Sequence, residues 1–298
     1  MRACVRICVK WSAVLAAKGA AESPPMVHRV VTCIVVLLLI GTAAPGAELF
    51  YMDHDALTNK YVGAVGPLVL SGEIVAGDYD RLLSKIAENE NRFIGQNKLI
   101  LASEGGDVPE AIKIARLVKS LYTEVVVGPL TGRCTGACFL IYIAASQRGT
   151  DGERLIGIYR PAIDGSRLDS VPPAEVALRE DQVAEQVRAF LQENAVPPYL
   201  TDEMYRHTSN DVYWLSERDE VNVGARSPAF AQYLLAKCAW DDKIEPEVYS
   251  GKRPLEDLKH LWACRSSVTL PAAHQALSSA LKEKAARDAS ETKKDIPR

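Results

Sequence analysis

The chain has 298 residues, of which 48% are hydrophobic and 24% are charged, and this composition is ordinary for a globular protein. Its length accommodates one large or two small domains. The net charge of −3 and the pI near 6.0 argue against a nucleic-acid-binding protein, because such proteins usually carry a basic face.

The first 47 residues have the pattern of a secretory leader. His28 and Arg29 precede an apolar run over residues 30–40, and small residues follow as far as Ala47. The run is shorter than the roughly 20 residues that a spanning helix needs. We therefore expect a signal peptide that is cleaved within residues 43–47, and a mature protein in the periplasm or cell envelope.

Two details of the leader stay open. Met26 lies just before the apolar run, so residues 1–25 are interpreted as an upstream extension whose translation is uncertain. The alternative to cleavage is an anchor in the inner membrane over residues 27–47. The membrane would then be a partner only through this uncleaved leader.

From residue 62 onward, strand and helix patterns alternate, which indicates an α/β fold with largely parallel pairing. Asp107 is predicted to cap one helix, with Pro109 in its first turn and Glu110 in capping-box spacing. The helix over 135–147 is nearly all apolar and should be buried on every side. The predicted strands are 67–73, 98–103, 124–128, 154–159 and 210–216, and the other predicted helices are 78–91, 174–194, a segment ending near 207, another ending at 224, and 227–240.

Four of the seven cysteines lie in the body of the chain, in a compartment that permits disulfides. We predict a disulfide between Cys238 and Cys264, which flank a charged, proline-containing stretch that is poor in core residues. Cys134 and Cys138 are one turn apart if both are helical. That spacing is awkward for a disulfide and more typical of two small buried residues. No zinc-binding spacing is present, so no metal is expected.

Three motifs stand in a regular order along the chain. They are Ser103-Glu104-Gly105-Gly106-Asp107, then the segment from Gly132 to Tyr142, then Ile156-Gly157-Ile158-Tyr159-Arg160-Pro161. Together they resemble the active-site framework of the Clp protease and crotonase-like superfamily, and specifically an exported member similar to Clp protease-like periplasmic proteins. The resemblance covers residues 68–225 and implies a spiral of ββα units, followed here by a C-terminal helical extension.

The resemblance also implies positions for the catalytic groups. The peptidases of the superfamily use a Ser at the start of a helix as nucleophile and a His before a Pro as base. Here those positions read Gly136 and Tyr159. A glycine cannot attack a carbonyl, and a tyrosine with a pKa near 10 is a poor base at neutral pH.

The backbone of the framework is retained. Gly105, Gly106 and the N–H of Ala137 are the expected oxyanion-type donors. The plainer interpretation of Gly105-Gly106 is a tight strand-to-helix turn.

A relocated active site is the open alternative. Cys134, Thr135 and Cys138 lie near the nucleophile position, but no His is close to them in sequence. His207 precedes Asp211, near the place where the superfamily carries its catalytic acid. A rebuilt site would combine Tyr159 with His207 and Asp211.

These patterns divide the chain into a leader (1–47), a Clp/crotonase-like domain (48–226), a helical extension (227–280) and a charged tail expected to be a frayed helix or disordered (281–298). The expected function is an inactive binding or scaffold module that takes an extended peptide or a protein, with no cofactor and no nucleic acid. The alternatives are a hydrolase with a relocated nucleophile and, third, a crotonase-like enzyme acting on acyl thioesters.

Overall fold

The computed structural model describes residues 46–52, 66–128, 132–162 and 171–294. The predicted leader lies outside the described residues as far as residue 45. No helix in the described ranges is both long and apolar enough to cross a membrane.

The strands are β1 Glu48–Tyr51, β2 Leu68–Ser71, β3 Lys98–Ala102, β4 Glu124–Val127, β5 Cys134–Thr135, β6 Gln147–Thr150, β7 Ile156–Ile158 and β8 Tyr213–Trp214. The helices are α1 Asp78–Glu88, α2 Glu90–Gln96, α3 Val108–Ser120, α4 Ala137–Ala144, α5 Pro173–Glu193, α6 Pro198–Arg206, α7 Glu217–Val223, α8 Pro228–Cys238, α9 Ile244–Tyr249 and α10 Leu255–Lys294.

The larger sheet has the strand order β1-β2-β3-β4-β6. The strands β2, β3, β4 and β6 run parallel, and only β1 is antiparallel to its neighbour. Helices connect the parallel strands, as parallel pairing requires. The predicted α/β class with mainly parallel pairing is therefore confirmed.

A second, smaller sheet has the order β5-β7-β8. Short parallel bridges continue it, between Ile74 and Gly106 and between Ser103 and Cys134. Each strand from β2 to β4 is thus followed by a short extended piece in this second layer and then by a helix. The repeating ββα unit is present, and it brings the three sequence motifs together along the second sheet.

Helix α4 lies in the centre of the core, and all eight of its residues are buried. This confirms the expectation of a helix buried on every side. The helix begins at Ala137 rather than at Thr135, because Cys134 and Thr135 pair with β7 instead. Gly136, with φ 55°, separates the strand from the helix.

Asp107 caps helix α3 as predicted, and its side chain accepts a hydrogen bond of 2.9 Å from the N–H of Glu110. The Glu110 side chain, however, does not bond back to the N–H of Asp107 as a capping box would require. The Glu110 carboxylate is buried and accepts the N–H groups of Gly77 and Tyr79, at 2.9 and 2.8 Å. It therefore holds the start of α1, where a negative charge complements the helix dipole.

Two predicted elements have different bounds. The helix predicted over 78–91 is divided at Asn89 into α1 and α2. The strand predicted over 210–216 is reduced to Tyr213–Trp214, because only these residues pair with β7.

The C-terminal extension forms a small core of its own from Phe230, Leu234, Trp240 and Leu258. The predicted disulfide between Cys238 and Cys264 is present and joins α8 to α10. This covalent link supplements a hydrophobic core that is much smaller than that of the main domain.

For the tail over 281–298, a frayed helix and disorder are the two expectations, and disorder is corrected for residues 281–294, which continue helix α10. Residues 295–298 lie outside the described part. Leu277 is buried in the main core, and Leu281 packs against it. Further along, Arg287 forms an ion pair of 2.7 Å with Asp80 on α1. Charge density alone suggested disorder, whereas contacts with α1 hold the helix.

Replacing both Cys238 and Cys264 with serine is expected to lower the free energy of unfolding by about 3 kcal/mol, because the disulfide restricts the unfolded chain. The two residues are 26 apart in sequence. Urea unfolding without reductant measures the change. Ser279→Ala, at an exposed position on the same helix, is the control and should change stability by less than about 0.5 kcal/mol. Equal unfolding midpoints for the double variant and the wild type would contradict this prediction.

Candidate active-site region

A strand–turn–helix element occupies the position where the motifs predict a nucleophile. Strand β5 ends at Thr135, Gly136 makes the turn with φ 55° and ψ −122°, and α4 begins at Ala137. The N–H of Gly136 donates to the carbonyl of Gly157 at 3.1 Å, and its own carbonyl accepts from Phe139 at 3.0 Å. A sharp turn of this kind presents the residue at its tip.

A disulfide between Cys134 and Cys138 spans this turn. The expectation that these cysteines are two free, small buried residues is therefore wrong. It assumed that both are helical, but Cys134 lies on β5 and the positive φ of Gly136 folds the chain back. The two Cα atoms are consequently 5.3 Å apart, within the normal range for a disulfide.

The Tyr159 side chain fills the space above Gly136. A Cβ atom placed on Gly136 would overlap the Tyr159 hydroxyl oxygen and would lie 2.5 Å from its Cζ atom. A Cβ atom on Gly105 would lie 3.2 Å from the same hydroxyl oxygen. The hydroxyl itself donates to the carbonyl oxygen of Glu104 at 3.0 Å. The predicted nucleophile and base positions are thus adjacent, and the tyrosine occupies the volume that a side chain at 136 would need.

The electrostatics of Tyr159 oppose a role as general base. Burial raises the pKa of its phenol above the usual value, because the phenolate would lose hydration. A hydrogen bond with Thr135 acts in the opposite direction but is the smaller effect, and the charges of Glu104 and Glu73 raise the pKa further. The phenol is therefore neutral at physiological pH.

The expected oxyanion-type donors differ in availability. The N–H of Gly105 already donates to Ser103 Oγ at 3.2 Å, so it is not open to a ligand. Gly106 has φ 130°. On either side of it, the carbonyl of Gly105 accepts the N–H of Ile74, and the N–H of Asp107 donates to the carbonyl of Ile74. Neither the N–H of Gly106 nor that of Ala137 donates to any residue in the described part of the chain. A Cβ atom on Gly105 would lie 3.0 Å from the Ala137 nitrogen, which places the two chain segments side by side.

His207 and Asp211 are brought together, with 3.0 Å between His207 Nδ1 and Asp211 Oδ2. The other ring nitrogen of His207 is 3.4 Å from Glu203 Oε2. The carbonyl of His207 accepts the N–H of Arg160, so this pair lies beside the end of β7. The Tyr159 hydroxyl, in contrast, is directed to Glu104. The rebuilt relay of Tyr159, His207 and Asp211 is therefore not assembled.

The sequence places Asp219 among late carboxylates interpreted as a solvated acidic surface, and this interpretation is wrong for Asp219, which the structure buries. Its carboxylate is buried and accepts hydrogen bonds from Tyr199 at 2.8 Å, from Tyr213 at 3.1 Å and from Ser216. Burial acts to raise its pKa, but these hydrogen bonds outweigh burial and the pKa is lowered. Asp219 ties β8 to α6 and α7. The spacing from Ser216 to Asp219, typical of a helix start, was the available signal.

Within the described ranges, no group of three or more His, Cys, Asp or Glu side chains could hold a metal ion. The thiols of Cys134 and Cys138 are joined to each other and titrate no further. The Thr135 hydroxyl donates to the carbonyl of Glu104 at 3.0 Å. Each side chain near the nucleophile position is thus already engaged.

No family model matches the chain, and no curated protein matches it. Solved structures of Clp-type proteases are similar to it. ClpP1 from Listeria monocytogenes is 16% identical, with 53% of this chain and 86% of that chain covered and a TM-score of 0.36. A single-residue variant of that protein is 19% identical over the same shares, with a TM-score of 0.38.

A mutant of the membrane-bound stomatin-specific protease 1510-N, solved in complex with a substrate peptide, is 17% identical to this chain. The match covers 53% of this chain and 71% of that chain, with a TM-score of 0.36. These likenesses concern the fold alone. The chemistry of the site is accordingly derived from this chain's own contacts.

Gly136→Ala is expected to lower the free energy of unfolding by roughly 2–4 kcal/mol, because alanine is strained at positive φ and its Cβ overlaps the Tyr159 hydroxyl. In a Tyr159→Ala background the overlap is gone, and the same substitution should cost at least about 1 kcal/mol less. Urea unfolding of the four proteins measures this coupling.

Gly149→Ala is the matched control, because a Cβ atom at Gly149 meets nothing within 4 Å. Its effect should be the same in both backgrounds. Additive effects of Gly136→Ala and Tyr159→Ala would show that the ring does not constrain the turn.

Proposed function

We propose that this chain is an exported, catalytically inactive relative of Clp-type proteases that acts as a binding or scaffold module. The supporting observation is the Tyr159 ring in the space above Gly136. The nucleophile position has no side chain, and the Tyr159 ring occupies the volume that a nucleophilic side chain would need. Acyl transfer needs a nucleophile beside a base, and the two positions here supply neither.

The engagement of the neighbouring side chains supports inactivity. A cysteine nucleophile requires a thiolate, which Cys134 and Cys138 cannot form while they are joined. Thr135 would need a base to take its proton. Its hydroxyl instead bonds the Glu104 carbonyl, and the nearest phenol, that of Tyr159, has a raised pKa.

The backbone supports a binding role for an extended peptide. The N–H groups of Gly106 and Ala137 are donors that no residue in the described part accepts from. Extended peptides bind sheet-like backbone through main-chain hydrogen bonds, which require no catalytic side chain. The positive φ of Gly106 and the start of α4 fix the direction of these donors. The proposed ligand is therefore an extended peptide or a protein segment, and the proposed location is the periplasm or cell envelope.

The alternative is an active hydrolase with a relocated nucleophile. The His207–Asp211 pair at 3.0 Å favours it, because a carboxylate that orients an imidazole is half of a catalytic relay. No nucleophilic hydroxyl or thiol contacts His207 in the described ranges, and this observation weighs against the alternative.

Wild-type protein is expected to give no peptidase or esterase turnover above background and no labelling by an organophosphonate. The combination of Gly136→Ser with Tyr159→His removes the obstructing ring and supplies two of the missing groups, so weak ester hydrolysis or labelling should appear. Gly149→Ser with Tyr159→His is the control, because it carries the same residue types with the hydroxyl elsewhere. Robust wild-type turnover that disappears in Thr135→Val or His207→Ala would favour the alternative.

Ala137→Pro is expected to weaken peptide binding at least about tenfold, because it removes one free N–H at a helix position that tolerates proline. Peptides selected on wild type from a random display library supply the probe, and fluorescence polarisation measures their affinity. Ala137→Ser keeps the N–H and should bind as wild type does. Equal affinities for the proline and serine variants would exclude this N–H from the binding site.

A further inference from the structure

The carboxylate of Asp78, the first residue of α1, is fully buried and contacts the beginning of the described chain. Its Oδ2 atom accepts the N–H of Val75 at 2.9 Å and the N–H of Ala47 at 3.2 Å. Arg81, which is about half exposed, forms an ion pair with Oδ1. A buried carboxylate is costly unless it is paired, and a backbone amide compensates its charge less well than a cation does.

The chain is crowded just before this contact. Ala47 is 1% exposed and belongs to the main core. A Cβ atom on Gly46 would overlap the Arg81 guanidinium and would lie 2.7 Å from Val75 Cγ2. The Arg81 guanidinium therefore packs against the main chain at Gly46, where a residue with a Cβ atom would not fit.

The sequence at the same place has the pattern of a cleavage site. Ala44-Pro45-Gly46 carries small residues at the first and third positions before Ala47, as leader peptidases require. Gly41-Thr42-Ala43 has the same spacing. Cleavage there would leave the new N-terminus at Ala44, three residues away from the contact with Asp78.

We propose that the leader is removed between Gly46 and Ala47, and that the new α-ammonium group of Ala47 binds the buried carboxylate of Asp78. Hydrolysis by a leader peptidase consumes one water molecule. It leaves a carboxylate on Gly46 and an amine on Ala47, which takes up a proton. This inference rests on the proposed export and adds the cleavage position and the residue that receives the new N-terminus.

The pairing has a physical advantage over the uncleaved chain. The N–H of Ala47 already lies 3.2 Å from Oδ2, so a cationic donor replaces a neutral amide donor to the same carboxylate oxygen without movement of the backbone. Arg81 already pairs with Oδ1, and the new ammonium group would pair with Oδ2. Processing thereby gives each carboxylate oxygen of Asp78 a cationic partner.

The test uses the full chain expressed in a bacterial host with an active export pathway. Intact mass and N-terminal sequencing of the released protein should give Ala47 as the first residue. Cyanate then modifies the α-amine, and peptide mass spectrometry measures the rate. We expect the native α-amine to react about tenfold more slowly than in urea, because it is buried and paired. In Asp78→Asn the native rate should approach the urea rate.

Asp80→Asn is the matched control, since Asp80 lies in the same helical turn but is much more exposed and pairs with Arg287. It should keep the wild-type protection. A first residue of Ala44 would overturn the inference and leave export standing, whereas an intact leader in the membrane fraction would overturn both. A native α-amine of Ala47 that reacts at its urea rate would also overturn the pairing. This comparison of native and urea rates in the wild type tests the pairing even if the Asp78→Asn variant does not fold.

Discussion

The contact between the Tyr159 ring and the backbone at Gly136 constrains the whole candidate site. Steric overlap costs more than a single hydrogen bond returns, so a ring at this position requires a residue without Cβ at 136. Gly105 is restricted mainly by the backbone, because a Cβ atom there would lie 2.9 Å from the Thr135 carbonyl oxygen and 3.0 Å from the Ala137 nitrogen. Positions 136 and 159 therefore depend on one another. A smaller residue at 159 relieves the overlap with a side chain at 136 but not the strain of its positive φ.

The disulfide between Cys134 and Cys138 maintains this geometry from the other side of the turn. A loop this short restricts the unfolded chain less than the Cys238–Cys264 loop does, because loop-closure entropy grows with the logarithm of loop length. Its main effect is local, since it joins the first residue of β5 to the first turn of a helix that is buried on every side. The turn is thus held in place without help from a ligand or a catalytic side chain.

Local signals predicted the parts of the fold that depend on local interactions. The apolar run of α4 and the cap at Asp107 were predictable because period and capping chemistry act within a few residues. The Cys134–Cys138 pairing was not, since it depends on where α4 begins, and that start is set by the pairing of Cys134 with Ile156 in another strand. The last turns of α10 likewise depend on Asp80, which lies more than 200 residues earlier in the chain.

In the candidate site, too, the sequence indicated what depends on single residues but not what depends on contacts between distant residues. The sequence indicated which residue types occupy the nucleophile and base positions, but the filling of one position by the other is a three-dimensional relation that no spacing reveals. Catalysis depends on side chains that a single substitution removes. Backbone donors such as the N–H groups of Gly106 and Ala137 depend instead on chain direction, which the glycine φ values and the buried helix fix. Substitutions of side chains remove catalytic groups without changing the direction of such donors, and the proposed binding role rests on this difference.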